Sequence, residues 1–255
     1  MTEEILTGGG VNEVVRVGDT VRRPAGPWTP AVHGLLGHLA ATGFTGAPRA
    51  HGLDGRGREI LDFVPGSVAH YPVPDYVWSD AALRALARLL RDYHDATAGY
   101  TPPDGATWYF PARPGAEVVC HGDVAPYNCV FRDGLPVAFI DFDTAHPGPR
   151  LWDVAYAAYR FVPLTAVGNG EAVLPVPEQA RRLRLLCDAY GLPASGRAVL
   201  PEAVARRLRA LVDFMRERAA AGDSAFAGHL AAGHHELYLT DARHVTEHAA
   251  RLCPG

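Results

Sequence analysis

The chain contains no lysine: all 24 of its basic residues are arginine. Any anion it neutralises must therefore be met by guanidinium groups, which are always charged and grip phosphate or carboxylate through a planar fork. The arginines are interspersed with 28 acidic residues, for a formal net charge of −4. No basic stripe of the kind that follows a nucleic-acid backbone results. No apolar run approaches the ~20 residues needed to span a bilayer. Met1-Thr2-Glu3-Glu4 is acidic where a signal peptide carries positive charge. The expectation is a soluble, cytoplasmic protein with neither a nucleic-acid nor a membrane partner. Cysteine is scarce, and Cys120, Cys129, Cys187 and Cys253 lack C-x-x-C spacing, which indicates neither a zinc site nor a disulfide framework. His244 and His248 stand four apart, but no glutamate completes an H-E-x-x-H pattern, so they read as solvated helix residues. No internal repeat or low-complexity tract is evident.

What is present is an ordinary globular composition, 48% hydrophobic over 255 residues, enough for one large domain or two small lobes. One stretch carries the chemistry. The apolar run Val118-Val119-Cys120 delivers His121-Gly122-Asp123 to a loop, and Asn128 opens a second apolar run through Phe131. Arg132-Asp133-Gly134 is a turn signal, after which Pro136 to Ile140 runs back and ends on Asp141. A hairpin of that shape brings Asn128 and Asp141 together at its open end, with Asp123 just upstream. Two carboxylates and an amide offer only oxygen ligands on the metal side, which suits magnesium shared with substrate phosphates. The remaining carboxylate is free to take a proton from a hydroxyl. These are the parts of a phosphoryl-transfer site.

His121-x-Asp123-x-x-x-x-Asn128 resembles the kinase catalytic loop, and Asp141-Phe142-Asp143 stands where kinases carry D-F-G. With glycine at 122, Ile140-Asp141-Phe142-Asp143, and Leu151-Trp152-Asp153-Val154-Ala155 after it, the stretch resembles the aminoglycoside phosphotransferase family. That resemblance implies an α+β, protein-kinase-like two-lobe fold. Residues 1–63 would form a nucleotide-binding lobe, a small antiparallel sheet with one helix. Residues 64–255 would form a mainly helical catalytic and substrate lobe. It also implies transfer of the γ-phosphoryl group of ATP or GTP to a hydroxyl of a small molecule. Asp123 would accept or orient the hydroxyl proton. Asn128 and Asp141 would hold Mg2+, Asp143 would reach a second metal or its water, His121 would brace the loop, and Asp153 would support it through backbone hydrogen bonds. Two readings of other classes stay open: a nucleotide-binding pseudokinase acting as an interaction module, and a metal-assisted hydrolase.

The rest of the chain reads in the same order. Gly8-Gly9-Gly10 precede alternating valines and suit a hairpin whose backbone approaches phosphates. A helix is predicted from Pro30 to about Thr42, capped by Thr29, with strands over Pro48–Leu53 and Glu59–Val64 around a glycine turn. Phe63 and Val64 lie where the resemblance places the hinge that meets the adenine edge. Helices follow from Ser79, over Leu151–Phe161, Glu178–Tyr190, Pro201–Ala221 and Ser224–Leu252. Trp108, Tyr109 and Phe110 are expected to pack under their loop.

The resemblance has two departures. The usual strand lysine is missing, and the first helix offers His33 and His38 where a glutamate is expected. Arg22 and Arg23 are the available replacements, and alternation sends them to opposite faces. Val15, Val17 and Val21 share the parity of Arg23. If that face looks into the cleft, Arg23 meets the nucleotide. A register one residue off would put Arg22 there instead. For an acceptor, no acidic excess is found in the last helices. Glu236 and Asp241 are the best candidates for a local acidic patch.

Overall fold

The structure is a computed structural model that describes residues 3–6, 14–169 and 173–253. Short alternating runs broken by glycine turns build the N-terminal region. Strands β1 (Glu4–Leu6), β2 (Val14–Val17) and β3 (Thr20–Pro24) are followed by helix α1 (Thr29–Ala41), β4 (Ala50–Leu53) and β5 (Arg58–Asp62). They form one antiparallel sheet in the order β1-β2-β3-β5-β4. Gly18, at φ +62, supplies the left-handed residue of the two-residue turn between β2 and β3. That turn resets the face count. Val15 pairs with Arg22 and Val17 with Thr20, so of the three valines only Val21 shares a face with Arg23. On β5, Val21 lies opposite Leu61 and Arg23 opposite Glu59.

Helix α1 buries Val32, Leu35, Leu36 and Leu39, a stripe at helical spacing that belongs to the same core as Val21 and Leu61 of the sheet. Its cap differs from expectation. Trp28 holds the cap position without a side-chain hydrogen bond. Thr29 lies inside the first turn, where its hydroxyl accepts from Gly26 N at 2.9 Å.

The C-terminal part is mainly helical. After β6 (Ser67–Val68) comes α2 (Asp80–Thr97), whose Ser79 cap accepts from Ala82 N at 3.1 Å. Leu83, Leu86, Leu90 and Tyr93 of α2 are fully buried. Then come β7 (Val118–Cys120), β8 (Cys129–Arg132), β9 (Leu135–Phe139), β10 (His146–Gly148) and α3 (Arg150–Phe161). The β8–β9 turn has Asp133 at φ +50 and Gly134 at φ +74, the two left-handed residues that a tight hairpin needs. The chain ends in α4 (Val176–Tyr190), α5 (Ala194–Ala220), α6 (Ser224–Ala231), α7 (His234–Glu247) and α8 (Ala249–Leu252).

Two helix boundaries depart from the sequence reading. Helix α5 begins at Ala194, not Pro201, and carries Pro201 in its interior. A proline cannot bond the carbonyl four residues back; that carbonyl, on Arg197, is approached by the Cys253 thiol at 4.0 Å. The final helix is broken into three, and Gly233 at φ +77 marks the first break. Tyr109 and Phe110 sit in an aromatic layer, with Tyr109 4.7 Å from Trp28 and Phe110 4.7 Å from Phe214 between ring centroids, while Trp108 packs, partly buried, against the main core. Among the described residues no helix is long and apolar enough to cross a membrane.

Candidate active site

The loop between β7 and β8 is held from behind by one buried aspartate. Asp153, in the first turn of α3, accepts from His121 N at 2.6 Å and from Gly122 N at 2.9 Å. His94 of α2 lies 3.2 Å from the same carboxylate, and its other nitrogen meets the Tyr190 hydroxyl at 2.7 Å. Burial alone would raise the Asp153 carboxyl, but hydrogen bonding and charge from His94 outweigh it, and the net shift is downward. Gly122 sits at φ +86, and a Cβ there would lie 2.4 Å from Thr144 O. Only glycine fits both the dihedral and the space. From α5, Arg207 donates to Gly122 O at 2.7 Å while its guanidinium lies 4.5 Å from the Tyr156 ring.

The side chains of this loop converge. His121 is fully buried; its Nδ1 accepts from Asp123 N at 3.3 Å and its Nε2 donates to Ile140 O at 3.0 Å. Asp123 accepts from the Tyr127 hydroxyl at 3.0 Å and from Asn128 Nδ2 at 2.8 Å. Burial pushes its carboxyl upward. Ile140 N donates to Asn128 O at 3.0 Å, which closes the open end of the hairpin and sets Asn128 beside Asp141.

Asp141 adopts φ +62 and ψ +67, a left-handed conformation that aspartate tolerates better than most residues, and its side chain is 49% exposed. Asn128 spends its amide nitrogen on Asp123, leaving a carbonyl oxygen as its remaining polar atom. With Asp141 this is an all-oxygen donor set. It fits a hard cation that completes its shell with water and phosphate oxygens. Among the described residues, no group of three His, Cys, Asp or Glu gathers to hold a metal unaided.

Arg23 crosses from the sheet to this cluster. It is 6% exposed, with Nη1 2.6 Å from Asp141 Oδ1 and Nη2 2.7 Å from Asp143 Oδ1. Its Nε donates to Glu59. Despite Arg23, burial leaves the Asp143 carboxyl raised. Arg22 turns away, with its guanidinium donating to Thr20 Oγ1 and Val21 O. Glu59 was missed in the sequence. Its signal was a charge at the parity of Leu61 on β5, which is the buried face of that strand. Tyr127, Arg207 and His94 were also missed, and no local pattern marks them.

The remaining named residues lie elsewhere. Gly8, Gly9 and Gly10 fall outside the described residues. Phe63 donates its amide to Asp19 O at 2.8 Å, and Arg16 stacks 3.9 Å from its ring. With Val64 it lines an open cavity of about 490 Å3, walled by Leu36, Leu39, Phe44 and Ala47 and containing none of the loop carboxylates. His244 Nε2 bonds Gln179 at 2.9 Å. Asp241 is buried and accepts from the Tyr159 hydroxyl at 2.8 Å, Ala166 N at 2.7 Å and Asn169, while Glu236 is exposed on α7. These two candidates therefore do not form an acidic patch, in line with the lack of acidic excess in the last helices.

Comparison with known proteins agrees with this geometry. The profile of the phosphotransferase enzyme family APH matches residues 105–199. The trifolitoxin immunity protein of Rhizobium leguminosarum bv. trifolii is 40% identical over 205 residues, covering 75% of this chain and 76% of that one. Among solved structures, an amicoumacin kinase in complex with AMP-PNP, Ca2+ and Ami superposes with a TM-score of 0.66 at 13% identity, covering 89% of this chain and 87% of that one. A choline/ethanolamine kinase family protein from Mesorhizobium loti gives 0.64 at 15%, covering 100% and 93%. The fold is thus protein-kinase-like, and the chain belongs to the APH phosphotransferase enzyme family.

Proposed function

We propose that this protein transfers the γ-phosphoryl group of ATP or GTP to a hydroxyl of a small molecule. The observation that carries this reading is the convergence of Asp123, Asn128 and Asp141 beneath the guanidinium of Arg23. Asp123 takes or orients the acceptor proton, and the hydrogen bonds from Tyr127 and Asn128 hold its carboxylate in place. Asn128 and Asp141 hold magnesium, which would supply charge for the phosphate oxygens. Asp143 stands behind Asp141 as an outer carboxylate. Asp153 and His121 keep the loop backbone fixed. Arg23 supplies the phosphate-facing charge that lysine supplies elsewhere. The nucleotide would run from Phe63 and Val64 toward Gly8, Gly9 and Gly10, with the division between lobes after residue 63.

On the acceptor side, Tyr127 and Tyr156 bring their hydroxyls within 3.4 Å of each other beside Asp123, and Arg160 lies 5.3 Å from the Tyr71 ring. Asp241 is spent internally. These surroundings favour a hydroxyl compound of low positive charge over a polycationic sugar. A relative that is an immunity protein fits a reaction that disarms a toxic compound by phosphorylating it. The test is a mass-spectrometric screen for phosphorylated acceptors with ATP or GTP and magnesium. Transfer to weakly charged hydroxyl compounds, with little or none to kanamycin, is expected. Efficient turnover of kanamycin at micromolar concentration would overturn the acceptor assignment.

The direct pairing of Arg23 with Asp141 favours one second reading, a nucleotide-binding module without turnover. Nucleotide binding with no phosphoryl acceptor and no hydrolysis would support it.

A further inference from the structure

Kinase-like sites pair the phosphate-binding cation of the third strand with a glutamate on the following helix. Here α1 carries His33 at the point of contact, and the carboxylate stands on a different element. Arg23 and Glu59 are directly opposed in the β3–β5 register, so their side chains leave the sheet on the same face. Both are buried, at 6% and 1% exposure. Glu59 takes the Nε–H of Arg23 with one oxygen, and His33 Nε2 lies 2.9 Å from its other oxygen. The guanidinium is thereby gripped at its stem, and its two terminal nitrogens project toward Asp141 and Asp143.

We infer that Glu59 is the positioning partner of the phosphate clamp, and that His33 ties helix α1 to that clamp through it. The inference rests on the phosphotransferase reading. A guanidinium can accept this arrangement because its Nε–H and its terminal N–H groups point in different directions. The ammonium of a lysine is a single point and has no separate stem donor. A carboxylate on the neighbouring strand reaches that stem without help from the helix. The helix keeps its link by donating from a histidine. Without Glu59, Arg23 would have only Asp141 and Asp143 to answer to, and a nucleotide would have to draw it off them.

The test uses the full chain and magnesium with AMP-PNP as the probe, read by calorimetry, with a thermal melt on every variant. Glu59→Gln keeps the shape and removes the charge, and should weaken binding about tenfold. In an Arg23→Ala background the same change should alter affinity less than about twofold, because its effect passes through the arginine. His33→Leu, at a half-buried position, should weaken binding by about threefold, and His33→Gln should recover part of that loss by restoring a donor. Additive losses from Arg23→Ala and Glu59→Gln, or wild-type affinity in folded Glu59→Gln and His33→Leu, would overturn the inference while leaving the phosphotransferase reading intact. If Glu59→Gln does not fold, the two His33 variants decide. Absence of binding in the wild type to both AMP-PNP and a GTP analogue would remove the phosphotransferase reading, and this inference with it.

Discussion

The loop between β7 and β8 and the side-chain network around Arg23 meet at Asp141 and Asp143, yet they are held in opposite ways. In the loop, backbone is fixed by buried side chains: Asp153 takes two amides, Arg207 one carbonyl, and His121 bonds Asp123 N and Ile140 O. In the clamp, a side chain is fixed by other side chains, drawn from β3, β5, α1 and the segment after β9. A backbone frame leaves little freedom to exchange one residue for another. A side-chain network can hand its carboxylate from a helix to a strand and still point a cation at the same place. The loop matches the motif that the sequence resembles, and the strand and helix around Arg23 are where the chain departs from it.

The largest effect should come from the base proposed for the loop. Asp123→Ala is expected to lower phosphoryl transfer by roughly 10²–10⁴-fold, the usual contribution of a positioned general base. Magnesium-dependent nucleotide binding should stay close to wild type. Single-turnover assays with an acceptor from the screen, alongside calorimetry, check both halves, and unimpaired turnover would assign the base elsewhere.

Asp153→Ala should affect folding itself. It orphans two buried amides and the Nε2 of His94, and a loss on the order of 3–5 kcal/mol is expected in urea unfolding. The same carboxyl gives a pH dependence. Its folded pKa lies below the ordinary value, so its contribution is complete above the unfolded pKa of about 4 and disappears as pH falls through the lower folded value. Unfolding curves from pH 7 down to pH 3 should show wild type losing stability at the acid end, with Asp153→Asn lacking that portion. Equal acid slopes in the two proteins would mean that Asp153 is not the frame of the loop.

Gly122→Ala should cost less, about 1–3 kcal/mol, from a left-handed backbone and a Cβ pressed on Thr144 O. The same urea experiment reads it. The smallest effect is expected in the clamp's neighbour: Arg22→Ala should leave nucleotide affinity within about twofold, since the half-buried Arg22 guanidinium turns away from Asp141 and Asp143 to Thr20 Oγ1 and Val21 O. A loss confined to Arg22→Ala, with Arg23→Ala near wild type, would contradict the placement of the clamp.

How much could be read in the sequence follows from the same contrast. His121, Asp123, Asn128 and Asp141 flank one hairpin, so spacing brought them together, whereas Asp153, on α3, was named only through the family resemblance. The sheet region, the helix after it and the helical second part were legible because alternation and helical stripes are local. Glu59 was not legible as a partner because its contact with Arg23 spans 36 positions and depends on strand register. Register also misled the valine count, which ran through the Gly18 turn without allowing for the reset. Thr29 looked like a cap because threonine commonly is one, but the chain enters α1 a residue earlier. Pro201 looked like a helix start for the same kind of reason, and tertiary packing carried α5 past it.

The central claim is that Asn128 and Asp141 present oxygens to a magnesium ion shared with a nucleotide. Titration of AMP-PNP and a GTP analogue into wild type, Asp123→Ala and Asp141→Asn, across a series of magnesium concentrations, tests it most directly. Binding of at least one nucleotide should strengthen with magnesium in wild type and in Asp123→Ala. That dependence should fall by about tenfold or more in Asp141→Asn, because an amide cannot replace the carboxylate charge at a hard cation. Binding that ignores magnesium in wild type, or the same magnesium dependence in Asp141→Asn, would contradict the claim.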